Sequence, residues 1–292
     1  MTQQSSPNSS APNPSATPDA RPRKTRTQAV LSVLHTHNLG PHLIRVVLGG
    51  DGFGQVNGND FTDKYVKITF VDPVLGLTPP FDLDALRGRL EPEQLPVRRT
   101  YTVRKLDAEA RELTIDFVVH GEEGVAGPWA RAARPGDLLS MSGAGGGYAP
   151  DLTADWHLFV GDDTAVPAIS SALEALPDDA RGLALIEIDH GSDEVPVEVP
   201  VGVEVRWLHR DGAVPGKDTL LVPAVEAMDW PAGRVQVFAH GERESMKGLR
   251  KVFADRGVPR SDLSLSGYWA YGRAEDQFQA EKRQPVGKIF ED

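Results

Sequence analysis

The sequence contains no cysteine. That removes disulfides, cysteine-ligated zinc, thiolate nucleophiles and cysteine-held iron–sulfur clusters from the chemistry the chain supplies by itself. A redox role would therefore rest on a bound organic cofactor or on a metal held by other ligands. Long apolar runs are missing too: nothing approaches the roughly 20 consecutive residues that cross a bilayer as a helix. The N-terminus also lacks the charged-then-apolar order of a secretory signal. The expected setting is cytoplasmic, without membrane insertion. Positive charge is scarce, with 31 Lys and Arg against 42 Asp and Glu and a net charge of −11. A broad electrostatic footprint for nucleic acid is not expected, so the basic residues that stand out must act locally. The run RPRKTR at 21–26 closes a polar Ser/Pro/Asn-rich opening and reads as the solvated end of a disordered tail, residues 1–26, rather than a nucleic-acid arm.

What is present is enough for two cores: 40% of the 292 residues are hydrophobic, matching two domains of about 100 to 150 residues. From residue 27, short segments rich in Val, Ile, Leu, Phe and Thr follow one another between turn clusters: AVLSVLHTHNL, LIRVVLGG, KYVKITFV, RTYTVRKL and LTIDFVVH. This density of strands predicts an antiparallel barrel or sandwich over 27–147. Beyond it strands alternate with helices: WHLFVG, helical TAVPAISSALEAL, GLALIEI, VEVRWLH, helical DTLLVPAVEAM, VQVFAHG, helical ERESMKGLRKVFADRG and LSLSGYW. That order predicts a parallel α/β domain over 148–292, with a C-terminal helix and tail. The glycine-rich stretch GAGGGYAPD, 143–151, marks the junction.

RRTYTVR, 98–104, places three arginines around one aromatic ring in a strand. Alternation puts Arg99, Tyr101 and Val103 on one face and Thr100, Thr102 and Arg104 on the other. A guanidinium two residues from a ring can clamp a diphosphate while the ring stacks on a planar group; an exposed strand with cross-strand ion pairs gives the same spacing. The next strand runs into FVVHGEEGVAGPWARAARPGD. A helix starting at Gly127 or Pro128 there presents free N–H groups suited to phosphate, and RPGD predicts a turn before a further strand. GDDTAVPAI, 161–169, follows a strand and opens a helix, the setting of a dinucleotide phosphate. It lacks the G-x-G-x-x-G that permits close backbone approach, and Asp162 and Asp163 stand where phosphate would lie. GAGGGY precedes a strand and reads as a connecting loop. His35 and His37 share a strand face without a carboxylate or further histidine at ligand spacing, so no metal site is expected.

Together, YVK at 65–67, RTYTVR, FVVHGEEG with WARAARPGD, GDDTAVPAI, HGE at 240–242 and SGYWAYGR followed by AEDQFQAEK resemble the siderophore-interacting protein family. These are FAD-containing ferric-siderophore reductases within the wider ferredoxin-reductase-like fold, and the resemblance spans nearly all of residues 27 to 285. It implies an N-terminal antiparallel FAD-binding β-barrel followed by a parallel α/β NAD(P)H-binding-like domain. The implied activity is reduction of siderophore-bound Fe(III) to Fe(II) with electrons from NADH or NADPH through FAD, releasing iron. Ferredoxin as donor, a general flavin reductase and a siderophore-binding protein without turnover are the alternatives. By the resemblance, Arg99 holds the diphosphate, Tyr101 stacks on the isoalloxazine and the Thr102 hydroxyl approaches its N5, while Arg104 either assists FAD or pairs at the surface. His120, Ala126, Gly127 and Trp129 match the second FAD segment, where GPW replaces a small hydroxyl residue. Gly161, Asp162, Thr164 and Ala165 make up the dinucleotide turn, and Trp269 lies beside the flavin. Lys67, Arg273 and Arg131 face the ferric siderophore. GYWAYGR has Ala270 and Tyr271 where the family commonly carries two arginines, which lowers local positive charge and leaves room for a hydroxamate or citrate complex as well as a catecholate. Glu187 and Asp189, ending a strand without a nearby arginine, favour NADH over NADPH if either is used.

Overall fold

The computed structural model describes residues 27–290 apart from 57, 120, 122 and 123. The barrel half is built from β1 (Ala29–Gly40), β2 (Leu43–Gly49), β3 (Tyr65–Phe70), β4 (Val97–Thr102), β5 (Lys105–Asp107), β6 (Glu112–Val118) and β7 (Leu138–Gly145). A short helix α1 (Leu83–Arg87) lies between β3 and β4, and α2 (Ala126–Ala132) lies between β6 and β7. All pairings are antiparallel, in the order β4-β3-β7-β1-β2-β6-β5. The two edge strands are consecutive in the chain, separated only by Val103 and Arg104. Val103 N–H donates to the Lys64 carbonyl (2.7 Å) beside β3, and Arg104 N–H to the Thr114 carbonyl (2.9 Å) in β6. One dipeptide thus carries the chain from one edge strand to the other, and the antiparallel sheet packs around Leu31, Leu48, Ile68, Ile115, Phe117 and Met141. Asp137 and Arg134 close the turn before β7, as RPGD predicts.

The second sheet contains β8 (Trp156–Asp162), β9 (Arg181–Ile188), β10 (Gly202–His209), β11 (Val235–Glu242) and β12 (Leu263–Trp269). These strands are parallel, in the order β10-β9-β8-β11-β12. All seven residues of β8 are buried, because helices cover both faces of the sheet. On one side α3 (Val166–Leu173) packs on Phe159, Ala184 and Ile186. On the other, α4 (Leu221–Ala227) and α5 (Arg243–Asp255) pack on Leu158 and Val160. A last helix, α6 (Glu275–Glu281), follows β12. The chain runs outward from β8 to β10 and then returns to β11, so the order reverses between β8 and β11. In such sheets ligands bind beyond the carboxyl ends of the strands at that reversal.

The two halves meet along a polar and apolar seam. Leu43 of the barrel joins the apolar cluster under α3. The Arg104 guanidinium forks onto Glu174 at the end of α3, and Ser171 Oγ donates to the Arg104 carbonyl at 2.8 Å. His42, in the β1–β2 turn, lies 2.9 Å from Asp193.

Candidate functional site

A cavity of about 440 Å³ opens where β3 and β4 of the barrel face the carboxyl ends of β8 and β12, with α6 as its outer wall. Six of the residues expected at a site come together there: Lys67, Arg99, Tyr101, Thr102, Thr164 and Trp269. Antiparallel pairing of β3 with β4 sets Lys67 opposite Thr100 and Val66 opposite Tyr101. The Tyr101 ring packs on Phe117, centroids 4.5 Å apart, and is thereby fixed from the core side. Burial pushes its hydroxyl well above the usual phenol range, so it stays protonated. The Arg99 guanidinium is lightly committed: Nη1 meets the Arg98 carbonyl at 3.0 Å and Asp276 at 3.2 Å, and Asp276 is 75% exposed.

The opposite wall holds residues the sequence reading missed. Glu275, Gln279 and Lys282 follow one another at spacings of four and three, which is one face of α6 and the residue that caps its C-terminus, and all line the cavity. Helical periodicity applied to AEDQFQAEK would have found them. Burial, reinforced by repulsion from Lys67, lowers the Lys282 ammonium below its ordinary pKa, with Glu275 acting in the other direction. Tyr268 lines the cavity as well, its hydroxyl 2.9 Å from His240 Nδ1. Burial pushes His240 down to about 3, leaving a neutral imidazole. The cavity therefore offers an aromatic ring and a guanidinium on one strand, with two lysines across from α6 to β3.

Residues 32–148 match the model of a siderophore-interacting FAD-binding domain, and residues 154–272 that of a siderophore-interacting protein. The ferric vibriobactin reductase ViuB of Vibrio cholerae is 33% identical over 89% of this chain and 96% of its own. The chain belongs to the siderophore-interacting protein family. An uncharacterized protein of Mycobacterium tuberculosis is 46% identical over 86% of this chain and 93% of its own. The crystal structure of a siderophore utilization protein from T. fusca superposes with a TM-score of 0.74 at 37% identity, covering 85% of this chain and 94% of that one. The FAD/NAD-binding domain of nitric oxide dioxygenase from Vibrio cholerae and phthalate dioxygenase reductase, each at 14% identity, share the fold alone. For this family member the cavity fits an aromatic cofactor bearing a diphosphate: the Tyr101 ring is backed by Phe117, and among the described residues the Arg99 guanidinium is held by a carbonyl and one exposed carboxylate.

Several expected residues lie elsewhere in this family member. Arg104 is not in the cavity wall. Its side chain is 11% exposed, forked onto Glu174 and 4.0 Å from Asp116, so it joins the two domains. Trp129 packs in the barrel core against Phe117 (5.5 Å) and Phe70 (5.8 Å). Ala126 is buried and opens α2 one residue earlier than expected; it and Gly127, beside Val119, stay out of the wall, as does Arg131 on the exposed last turn of α2. His120 lies outside the described residues. Arg273 Nε donates to Glu281 at 2.8 Å, away from the wall.

The dinucleotide turn is likewise turned inward. Gly161, Asp162 and Ala165 are buried behind Thr164. Asp162 Oδ1 accepts from Thr164 N–H at 3.0 Å and so complements the helix start, as its sequence position suggests. Burial and the neighbouring Asp163 raise its carboxyl to about 7. Glu187 is also buried, accepting from Thr219 Oγ1 (3.0 Å) and Leu220 N–H (2.8 Å) instead of facing a ribose. The expectation of no nearby arginine is corrected: parallel pairing of His209 with Ile188 brings Arg210 beside the end of β9. There Arg210 lies 3.0 Å from Asp163 and 3.6 Å from Glu187. Neighbours across a parallel sheet are distant in sequence, so the sequence could not show this arginine.

Proposed function

We propose that this chain is an FAD-dependent ferric-siderophore reductase acting in the cytoplasm. The observation that carries the reading is the meeting of Arg99 and Tyr101 with Lys67 and Lys282 in one cavity. When bound, FAD supplies the step from a two-electron hydride of NADH or NADPH, or the electrons of ferredoxin, to single-electron delivery to Fe(III). Arg99 would hold the diphosphate by charge-assisted hydrogen bonds. The Tyr101 ring, fixed by Phe117, would carry the isoalloxazine, and the Thr102 hydroxyl would hydrogen-bond its edge. Lys67 and Lys282 would attract the ferric siderophore, which is the substrate. Its hard oxygen ligands favour Fe(III) over Fe(II), so reduction loosens the complex and releases iron. Electron transfer needs no protein acid or base, which agrees with a cavity whose imidazole neighbour, His240, is buried and neutral. Two lysines without the arginines that Ala270 and Tyr271 replace suit a hydroxamate or citrate complex better than a highly anionic tris-catecholate.

The test is anaerobic spectroscopy. The purified chain should be yellow with FAD, bleach with NADH, NADPH or reduced ferredoxin, and regain its colour on addition of a ferric hydroxamate. A colourless protein that does not bind added FAD overturns the reading, and a flavoprotein that stays bleached in the presence of ferric siderophores overturns its substrate.

A further inference from the structure

One carboxylate ties together the carboxyl ends of β8, β11 and β12. Asp162 ends β8, and its Oδ2 accepts from Trp269 Nε1 on β12 at 2.8 Å. Yet β11 lies between these strands in the sheet. The contact crosses β11 at Gly241, whose φ is +153° and where a Cβ would stand 2.6 Å from Asp162 Oδ2. Any side chain there would close the passage. The same oxygen accepts from Glu242 N–H at 2.8 Å, while Oδ1 takes Thr164 N–H and its hydroxyl. Glu242 extends the tie: Oε1 accepts from Tyr271 N–H (3.1 Å) and Oε2 from Ser245 N–H (2.9 Å). The segment 269–271 is thus pinned from two strands just before the chain enters α6, which with its C-cap supplies Glu275, Gln279 and Lys282 to the cavity.

Asp162 is 4% exposed, and a buried carboxylate with only neutral donors is a costly way to hold strands together. What its geometry achieves is directional. A buried acceptor oxygen aimed at one indole N–H fixes both the position and the rotation of a ring that lines the ligand cavity.

We propose that Asp162 is a positioning residue: through the gap at Gly241 it locks the Trp269 indole, and with it the 269–271 turn, so that the cavity wall is set before ligand arrives. The cavity's ligand is the one named under the proposed function and rests on that reading; the indole contact does not.

The five tryptophans make the contact directly observable in the 15N-labelled full chain, where the Trp269 indole cross-peak is the one lost in Trp269→Phe. Its proton should be shifted downfield and exchange slowly with solvent. Asp162→Ala should move this peak upfield while those of Trp129, Trp207 and Trp230 stay in place. Gly241→Ala should reproduce the shift. FAD affinity, measured by fluorescence quenching, should fall roughly tenfold in Asp162→Ala but much less when the same substitution is made in a Trp269→Phe background, since the hydrogen bond is already gone. A Trp269 peak unmoved by Asp162→Ala, which leaves no acceptor, overturns the proposal. If that variant does not fold, the wild-type chain still decides, because solvent exchange at Trp269 as fast as at a free indole also overturns it. Absence of FAD binding by the wild type would sink the functional reading and leave the indole measurement intact.

Discussion

Arg45 and Asp116 face each other across β2 and β6, and their pairing offers a measurable test of what holds the barrel beside the cavity. Both Asp116 oxygens accept from the Arg45 guanidinium, at 2.7 and 2.8 Å. Asp116 is 2% exposed at its side chain and Arg45 29%. That hydrogen bond is the main reason the Arg45 pKa is raised. Asp116→Ala therefore strands one guanidinium and brings Arg104 nearer to an unbalanced charge. Breaking a fully buried pair by deleting one partner costs about 3–5 kcal/mol. Two features of the structure reduce this: water reaches Arg45, and Arg104 keeps Glu174. The expected loss is about 2–3 kcal/mol, with Asp116→Asn at about half of it because one acceptor survives. Urea slopes of about 1–3 kcal/mol per molar convert this to a midpoint shift of roughly 1 M. The assay is urea unfolding of the barrel followed by fluorescence of Trp129, the single tryptophan between residues 27 and 147, in a chain where the other four are replaced by Phe. Glu174→Ala strands the Arg104 guanidinium, 11% exposed and left with Asp116 at 4.0 Å, and should cost about 1–2 kcal/mol. A loss below about 1 kcal/mol for Asp116→Ala would refute the reasoning, since the fork would then contribute no more than a surface pair.

Three further outcomes follow from the geometry. Lys67→Gln and Lys282→Gln should each raise the KM for a ferric hydroxamate roughly 5- to 30-fold with FAD content unchanged, by the usual range of a charged contact in a partly dry site; steady-state kinetics at two ionic strengths measures it. His240 is held neutral, with its pKa down at about 3, so the folded state binds fewer protons than the unfolded chain between about 3 and 6.5. Stability from this group is complete above about 6.5 and lost as pH falls through that window, by about 2 kcal/mol at pH 5; the difference between wild type and His240→Gln in urea midpoint against pH isolates it. Gly161→Ala would place a methyl 2.6 Å from the Ala165 Cβ and 2.7 Å from the His240 carbonyl, and overpacking of this kind costs about 1–3 kcal/mol, seen as a lowered Tm.

Much of the architecture was legible because it rests on local periodicity. Alternation along RRTYTVR is enough to put Arg99 and Tyr101 on one face, and both line the cavity. The order of strands and helices after residue 150 gave the parallel sheet directly. Arg104 shows the boundary of that method. Alternation assigns it a face, but only docking of α3 on the barrel brings Glu174 to it. Lys282 sat within reach of a helical period, while Arg210 did not, since its partners Glu187 and Asp163 come from other strand ends.

Composition and periodicity alone pointed to an antiparallel half, barrel or sandwich, followed by a parallel sheet, and removed thiol chemistry, because these follow from residue types and spacings of about two and 3.6. Tertiary structure decided which polar groups serve the cavity and which serve the frame. Asp162 and Arg104 are ionisable groups that, in sequence, look ready for a ligand. Packing buries the first under an indole and the second against a helix end, since a charge removed from water must find its partners wherever the fold brings them.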